Sequence, residues 1–160
     1  MQNAKKKLKL KDISLIIYDF DGIMTDNRVF LFADGREAVF VNRSDGLAVK
    51  VIKKKGVSQL IVSSESNPVV KIRARKLGIP AINSVKNKKE AVERYLKTRK
   101  ISSKKVVFIG NDINDKEVMK YVNWPIAPID AHIEIKKIAK IVLLTKGGSG
   151  VIREFLDKLI

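Results

Sequence analysis

The segment Ile13-Ser14-Leu15-Ile16-Ile17-Tyr18-Asp19-Phe20-Asp21-Gly22-Ile23-Met24-Thr25-Asp26 decides the fold. Its first part is apolar except for Ser14 and is bounded by a turn signal, so it reads as a strand buried on both faces. Two carboxylates, Asp19 and Asp21, follow at i and i+2 and project to one side of an extended segment. Gly22 permits a sharp turn beside them.

Working outward, apolar runs alternate with amphipathic stretches. Val29–Phe32 and Ala38–Val41 flank Asp34-Gly35, a strong hairpin signal. Asp45 to Lys55 reads as a helix with Leu47, Val51 and Ile52 apolar and Gly56 as its stop. Leu60–Val62 is a strand, and a helix follows from Pro68 to Leu77, ended by Gly78 and Pro80. Ala81–Asn83 is a brief strand, Lys88–Arg99 a helix and Lys105–Ile109 a β-branched strand closed by Gly110. A helix over 114–121, a strand near Ile126, a helix over 131–139, a strand over 141–144 and a last helix over 150–159 complete the pattern. Strands alternating with helices imply a parallel sheet covered on both faces. The expectation is an α/β fold: one doubly wound, Rossmann-like parallel sheet with a β-hairpin inserted after its first strand. Residues 1–12 are expected to be a basic, frayed tail and 13–160 a single domain.

Composition narrows the class. The chain has 160 residues, 33 Lys+Arg against 17 Asp+Glu, and a formal charge of +16. Five of the lysines lie in residues 1–12, so most of the excess belongs to the body. That charge favours anionic partners, yet aromatics make up only 6% with one Trp, which offers no stacking platform for nucleic acid. Without cysteine there is no disulfide, thiolate zinc site or thiol nucleophile. The apolar run at 13–18 is too short to span a membrane, and no signal-peptide core follows the early lysines. The expected location is the cytoplasm.

In a doubly wound sheet, ligands bind beyond the carboxyl ends of the strands. The residues found there are Asp19 and Asp21 after the first strand, Ser63 and Ser64 after the second core strand, Lys88 at a helix start, and Gly110-Asn111-Asp112-Ile113-Asn114-Asp115 after the next. Such groups suit phosphoryl transfer. A carboxylate can attack phosphorus, and a second can protonate the leaving oxygen and then activate water. Magnesium favours hard oxygen ligands, which Asp19, Asp112 and water would supply. Ser63 and Lys88 could hold the phosphoryl oxygens. Taken singly, each group also has a plainer role. Asp-x-Asp-Gly is a turn signal, Ser63 could cap a helix, Asp112 and Asp115 could be first-turn acids that favour a helix N-terminus, and Lys88 could be one more surface lysine.

Asp19-x-Asp21-Gly22-x-x-Thr25-Asp26, Ser63, Lys88 and Gly110-Asn111-Asp112-x-Asn114-Asp115 together resemble the haloacid dehalogenase superfamily of phosphatases over residues 12–160. The 29–41 hairpin, Asn42-Arg43-Ser44-Asp45-Gly46, Ala127-Pro128-x-Asp130-Ala131-His132 and Gly147-Gly148-x-Gly150-x-x-Arg153-Glu154 are similar to its small, nearly capless sugar-phosphatase branch. They are also similar to the phosphatase-like domains of acylneuraminate cytidylyltransferases. The resemblance implies Asp19 as nucleophile and Asp21 as general acid/base. It implies Mg2+ held by Asp19, the Asp21 carbonyl and Asp112, with Ser63 and Lys88 on the phosphoryl group and Asp115 in support. It further implies a homotetramer built through the hairpins, with Arg153 or the 147–150 loop reaching a neighbour's site.

Two departures stand out. Ser63-Ser64-Glu65 replaces the Thr-Gly-Arg of octulosonate phosphatases, and Asn111 stands where many relatives carry an acid. Glu65 together with Lys76 looks more like nononate 9-phosphate phosphatases. The expected substrate is therefore an acidic keto-sugar phosphate, nononate or acylneuraminate 9-phosphate first and 3-deoxy-manno-octulosonate 8-phosphate second. The alternative is a non-catalytic assembly domain of a cytidylyltransferase. His132, the lone histidine, reads as a helix cap, and Trp124 as core at a strand start.

Overall fold

The computed structural model describes residues 8–160. Six parallel strands form one sheet in the order β5-β4-β1-β6-β7-β8, where β1 is Leu15–Tyr18, β4 Ser58–Val62, β5 Ala81–Ile82, β6 Val106–Ile109, β7 Trp124–Ala127 and β8 Ile141–Val142. The two remaining strands, β2 (Phe30–Leu31) and β3 (Glu37–Ala38), pair antiparallel as the expected hairpin. The chain runs outward from β1 through β4 to β5, then returns to β6 on the opposite side of β1. This reversal opens a crevice at the carboxyl ends of β1 and its neighbours.

β1 is buried from end to end because both of its faces are covered. Ile16 and Tyr18 join the core beneath α1 (Arg43–Lys54), α2 (Val69–Leu77) and α6 (Val151–Asp157). Leu15 and Ile17 face the opposite core, under α3 (Lys88–Arg99), α4 (Lys116–Tyr121) and α5 (Ile133–Ile138). Register is tight, with Tyr18 beside Ile61 on one side and Ile109 on the other. Three strand ends therefore stop at one level, and the residues after them meet.

Local chemistry sets the helix boundaries. Asn42 and Asn87 cap α1 and α3 by accepting from Ser44 N and Glu90 N. Gly78, at φ +67°, closes α2. The helix expected over 114–121 divides, because Asp112 and Asp115 form a reciprocal capping box around a 3-10 turn at Ile113–Asp115 before α4 begins. His132 caps α5, its Nδ1 accepting from Glu134 N, which shortens the helix expected over 131–139. Trp124 opens β7 as expected but is half-buried, with the Lys140 ammonium 5.0 Å from its ring centroid.

Of the residues expected to fray, 1–7 lie outside the described residues, whereas Leu8 and Leu10 are buried in the core. Among the described residues no helix is long and apolar enough to cross a membrane.

Candidate active site

Asp19 leaves the end of β1 with its backbone N–H donating to Ile109 O, so β6 fixes the direction of the exit. Its Oδ1 accepts from Phe20 N at 2.8 Å and from Lys88 Nζ at 2.7 Å. Lys88, from the first turn of α3, also donates to Asp115 Oδ1 at 2.7 Å. Asp115 Oδ2 accepts from Asn111 N and Asp112 N, which folds the loop after β6 around the carboxylate. All three charged side chains are buried. Such a triad persists only because each charge is paired and hydrogen-bonded.

Two carboxyl groups face one ammonium, so Lys88 can balance only one of them when both are ionised. Burial and the neighbouring Asp115 push the Asp19 carboxyl up to about 8, against the pull of Lys88. The two carboxylates outweigh burial at Lys88 and hold its ammonium above the ordinary value. Two of the three Lys88 N–H bonds are committed, leaving one for a ligand. Burial, and after it Glu65, raise Asp21 above the usual carboxylate range, with Glu37 of the hairpin adding to the rise against Lys88. A raised carboxylic acid suits proton donation.

A second feature is a cluster of oxygen donors. One terminal atom of the Asn111 amide lies 3.0 Å from the Asp21 carbonyl oxygen and 3.1 Å from Asp19 Oδ2. Those spacings match the edge of an octahedron with metal–oxygen bonds of about 2.1 Å, which is about 3.0 Å. The residues therefore fit a small hard cation when the amide presents its oxygen. Among the described residues no three His, Cys, Asp or Glu side chains form a metal cluster, because two of these three donors are an amide and a main-chain carbonyl. The resemblance named Asp112 as the ligand from this loop. The structure turns Asp112 Oδ1 back onto Ile113 N at 2.7 Å as a cap, and Asn111 is the residue that reaches Asp19. Asp112 remains in the pocket wall.

Gly22 and Gly110 are required by close approach. A Cβ on Gly22, which sits at φ +82°, would lie 2.0 Å from an Asn111 amide atom, and one on Gly110 would lie 2.6 Å from Asp115 Oδ2. From the other side the 147–150 loop buttresses the turn after Asp21. Gly147 N donates to Asp130 Oδ1 and Gly148 N to Ile23 O. A Cβ on Gly147 would lie 2.2 Å from Gly22 O.

The pocket over these groups holds about 130 Å³ and is walled by Asp19, Asp21, Ser63, Glu65, Asn111 and Asp112, among others. Among the described residues its lining includes no lysine or arginine. Ser63 is buried with Oγ accepting from Glu65 N, which frees its hydroxyl hydrogen. Two of the expected specificity residues lie elsewhere. Lys76 sits in the last turn of α2, a helix length from Glu65, and Arg153 pairs with Asp157 on the exposed face of α6. A larger concavity of about 620 Å³ runs between β5 and α3, but among the described residues Glu90 is the one carboxylate that lines it.

Comparison with known proteins agrees with this geometry. The family model for haloacid dehalogenase-like hydrolases matches residues 72–155, more than half of the sequence. The chain belongs to the haloacid dehalogenase-like hydrolase family. A hydrolase of this family from Streptomyces avermitilis superposes with a TM-score of 0.93 at 39% identity, covering 95% of this chain and 87% of that one. The 3-deoxy-D-manno-octulosonate 8-phosphate phosphatase of Haemophilus influenzae is 29% identical over 153 residues, 95% of this chain and 85% of its own length. The corresponding Moraxella catarrhalis enzyme, solved with magnesium, phosphate and the sugar acid, superposes with a TM-score of 0.90 at 25% identity, covering 94% of this chain and 87% of that one. N-acylneuraminate cytidylyltransferase A of Danio rerio is 27% identical over 158 residues, which is 96% of this chain but only 36% of that protein.

Proposed function

We propose that this hydrolase is a magnesium-dependent phosphomonoesterase for an acidic keto-sugar phosphate. The observation that carries the reading is the buried Asp19–Lys88–Asp115 triad at the end of β1, set against the oxygen cluster of Asp19, Asp21 and Asn111. Asp19 attacks phosphorus, the sugar oxygen leaves with the proton of Asp21, and an aspartyl phosphate forms on Asp19. Asp21, now ionised, takes a proton from water, whose oxygen attacks the same phosphorus and regenerates Asp19. Ser63 Oγ–H and the free N–H of Lys88 hold phosphoryl oxygens. Asp19, the Asp21 carbonyl and Asn111 would hold the cation, with Asp112 beside them. When bound, it offsets the repulsion between the carboxylate and the phosphoryl group and favours the ionised form of Asp19.

The pocket holds about 130 Å³. It admits a phosphoryl group, so the sugar must extend past Glu65 to the surface. Nononate or acylneuraminate 9-phosphate is the first substrate, because Ser64-Glu65 stands where octulosonate phosphatases carry Gly-Arg, and octulosonate 8-phosphate is the second. Among the described residues the pocket wall offers a substrate carboxylate no lysine or arginine, which supports a neighbouring subunit completing the site, with Arg153 as one source. A homotetramer joined through the hairpins is the assembly we propose, since Phe30, Leu31 and Phe40 are 62%, 68% and 79% exposed. The test is phosphate release from the two sugar phosphates side by side, with magnesium and with EDTA. Magnesium-dependent release with nine-carbon preference is expected. Release from neither would leave the assembly-domain reading.

A further inference from the structure

Asn111 is anchored through its backbone on both sides. Its backbone N–H donates to Asp115 Oδ2 at 2.9 Å and its carbonyl accepts from His132 N at 2.8 Å. The side chain is buried, with one amide end at the Asp19–Asp21 cluster and the other packed over Gly22, where a Cβ would be 2.0 Å away.

The two ends have opposite surroundings. The end at the cluster meets the Asp21 carbonyl oxygen, which can only accept, and Asp19 Oδ2, which accepts when Asp19 is ionised, and the far end meets only donors. Without a cation the hydrogen bonds are all made when the NH2 lies at the cluster and the oxygen lies by Gly22. With a cation the oxygen must turn to the cluster, and the NH2 then faces donors. No carboxylate could do both, since an ionised aspartate has no hydrogen to give the two acceptors. Resting on the reading of this pocket as a divalent-cation site, we propose that Asn111 is a reversible plug. Its NH2 bridges Asp19 and Asp21 when the site is empty, and its amide turns over to admit the cation. The consequence is a metal-free state that keeps its hydrogen bonds, and a cation that binds more weakly than it would to an aspartate, because binding displaces two hydrogen bonds and strands an NH2.

The test uses the full chain stripped with chelator. Magnesium binding is measured by calorimetry and metal-free thermal unfolding is followed in wild type and Asn111→Asp. The Asn111 side-chain NH2 signal of 15N-labelled wild type is followed in the same titration. The proposal expects at least tenfold tighter magnesium binding in the variant and a metal-free Tm several degrees lower. It also expects an Asn111 NH2 signal that is protected from exchange without magnesium and shifts and loses protection with it. Equal affinities and equal metal-free Tm values would overturn the proposal while leaving the cation site standing. An NH2 signal unmoved by saturating magnesium would overturn it even if the variant did not fold. Magnesium binding to neither protein would remove the cation-site reading and this proposal together.

Discussion

Replacing Lys88 with methionine keeps most of the stem's volume and removes the ammonium that bonds Asp19 Oδ1 and Asp115 Oδ1, each at 2.7 Å. Both carboxylates stay buried, with main-chain N–H groups and, at Asp19, the Asn111 amide as their remaining partners. Removing one member of a buried ion pair costs about 3–5 kcal/mol, because the charge left behind has neither water nor counter-ion. That is a large part of the roughly 5–15 kcal/mol that holds a domain folded. The deficit must also depend on pH. Asp19 already titrates near 8 beside Lys88, and losing the ammonium raises both folded carboxyls further above their unfolded value of about 3.9. A group raised in the folded state favours folding below its unfolded pKa, and that contribution is lost as pH rises through the folded value. The variant's deficit therefore shrinks as pH is lowered from 8 towards 4. Denaturant unfolding at pH 8, 7 and 5, with chelator present, reads this directly. Lys88→Met/Asp115→Asn, which removes one of the stranded charges, should recover a large fraction of the loss at pH 7. A single variant as stable as wild type at pH 7, or a deficit that does not shrink on acidification, would refute the reasoning.

Three further predictions come from other parts of the fold. Asp45 is buried on α1 and accepts from Ile152 N and Arg153 N at the start of α6, and burial raises its carboxyl to about 6 against those two hydrogen bonds. Protonated Asp45 contributes about 3 kcal/mol below pH 4, lost as pH rises through 6, so Asp45→Asn should flatten stability across pH 4–6. Gly147→Ala places a methyl against the Gly22 carbonyl, 2.2 Å away in the unrelaxed geometry, and should cost about 1–3 kcal/mol. Because that carbonyl belongs to the turn after Asp21, turnover should fall more steeply than stability, as measured by kcat and Tm on one preparation. Phe40→Ser on the exposed hairpin should shift sedimentation from the proposed tetramer towards smaller species while the monomer fold, read by circular dichroism, is retained.

Much of the scaffold was legible because strand and helix periods alternate cleanly. The Lys88–Arg99 helix has the expected bounds, and the strands that carry the site lie within a few residues of their expected limits. The placement of the candidate residues was legible wherever one directly follows a strand, as with Asp19 and Ser63. It was not legible inside the turn after β6. Asn111 and Asp112 are neighbours, and which one points at Asp19 depends on backbone angles that spacing does not dictate. Asp112 at φ −132° and ψ 173° turns its carboxylate to the helix it caps, which leaves the inward place to Asn111. Asp45 escaped for a different reason. Its partners lie 107 and 108 residues away on α6, and no local pattern announces a contact of that range. Lys76 stands beside Glu65 only in the resemblance, and spacing leaves open whether the two meet; in the structure Lys76 lies in the last turn of α2.

The central claim is that Asp19 carries the phosphoryl group during turnover. The most direct measurement is an acid quench during turnover of a sugar phosphate with magnesium, followed by mass analysis of the peptide containing Asp19. The account predicts a phosphoryl adduct on Asp19 in wild type, and neither adduct nor turnover in Asp19→Asn. Wild-type turnover by Asp19→Asn would contradict it.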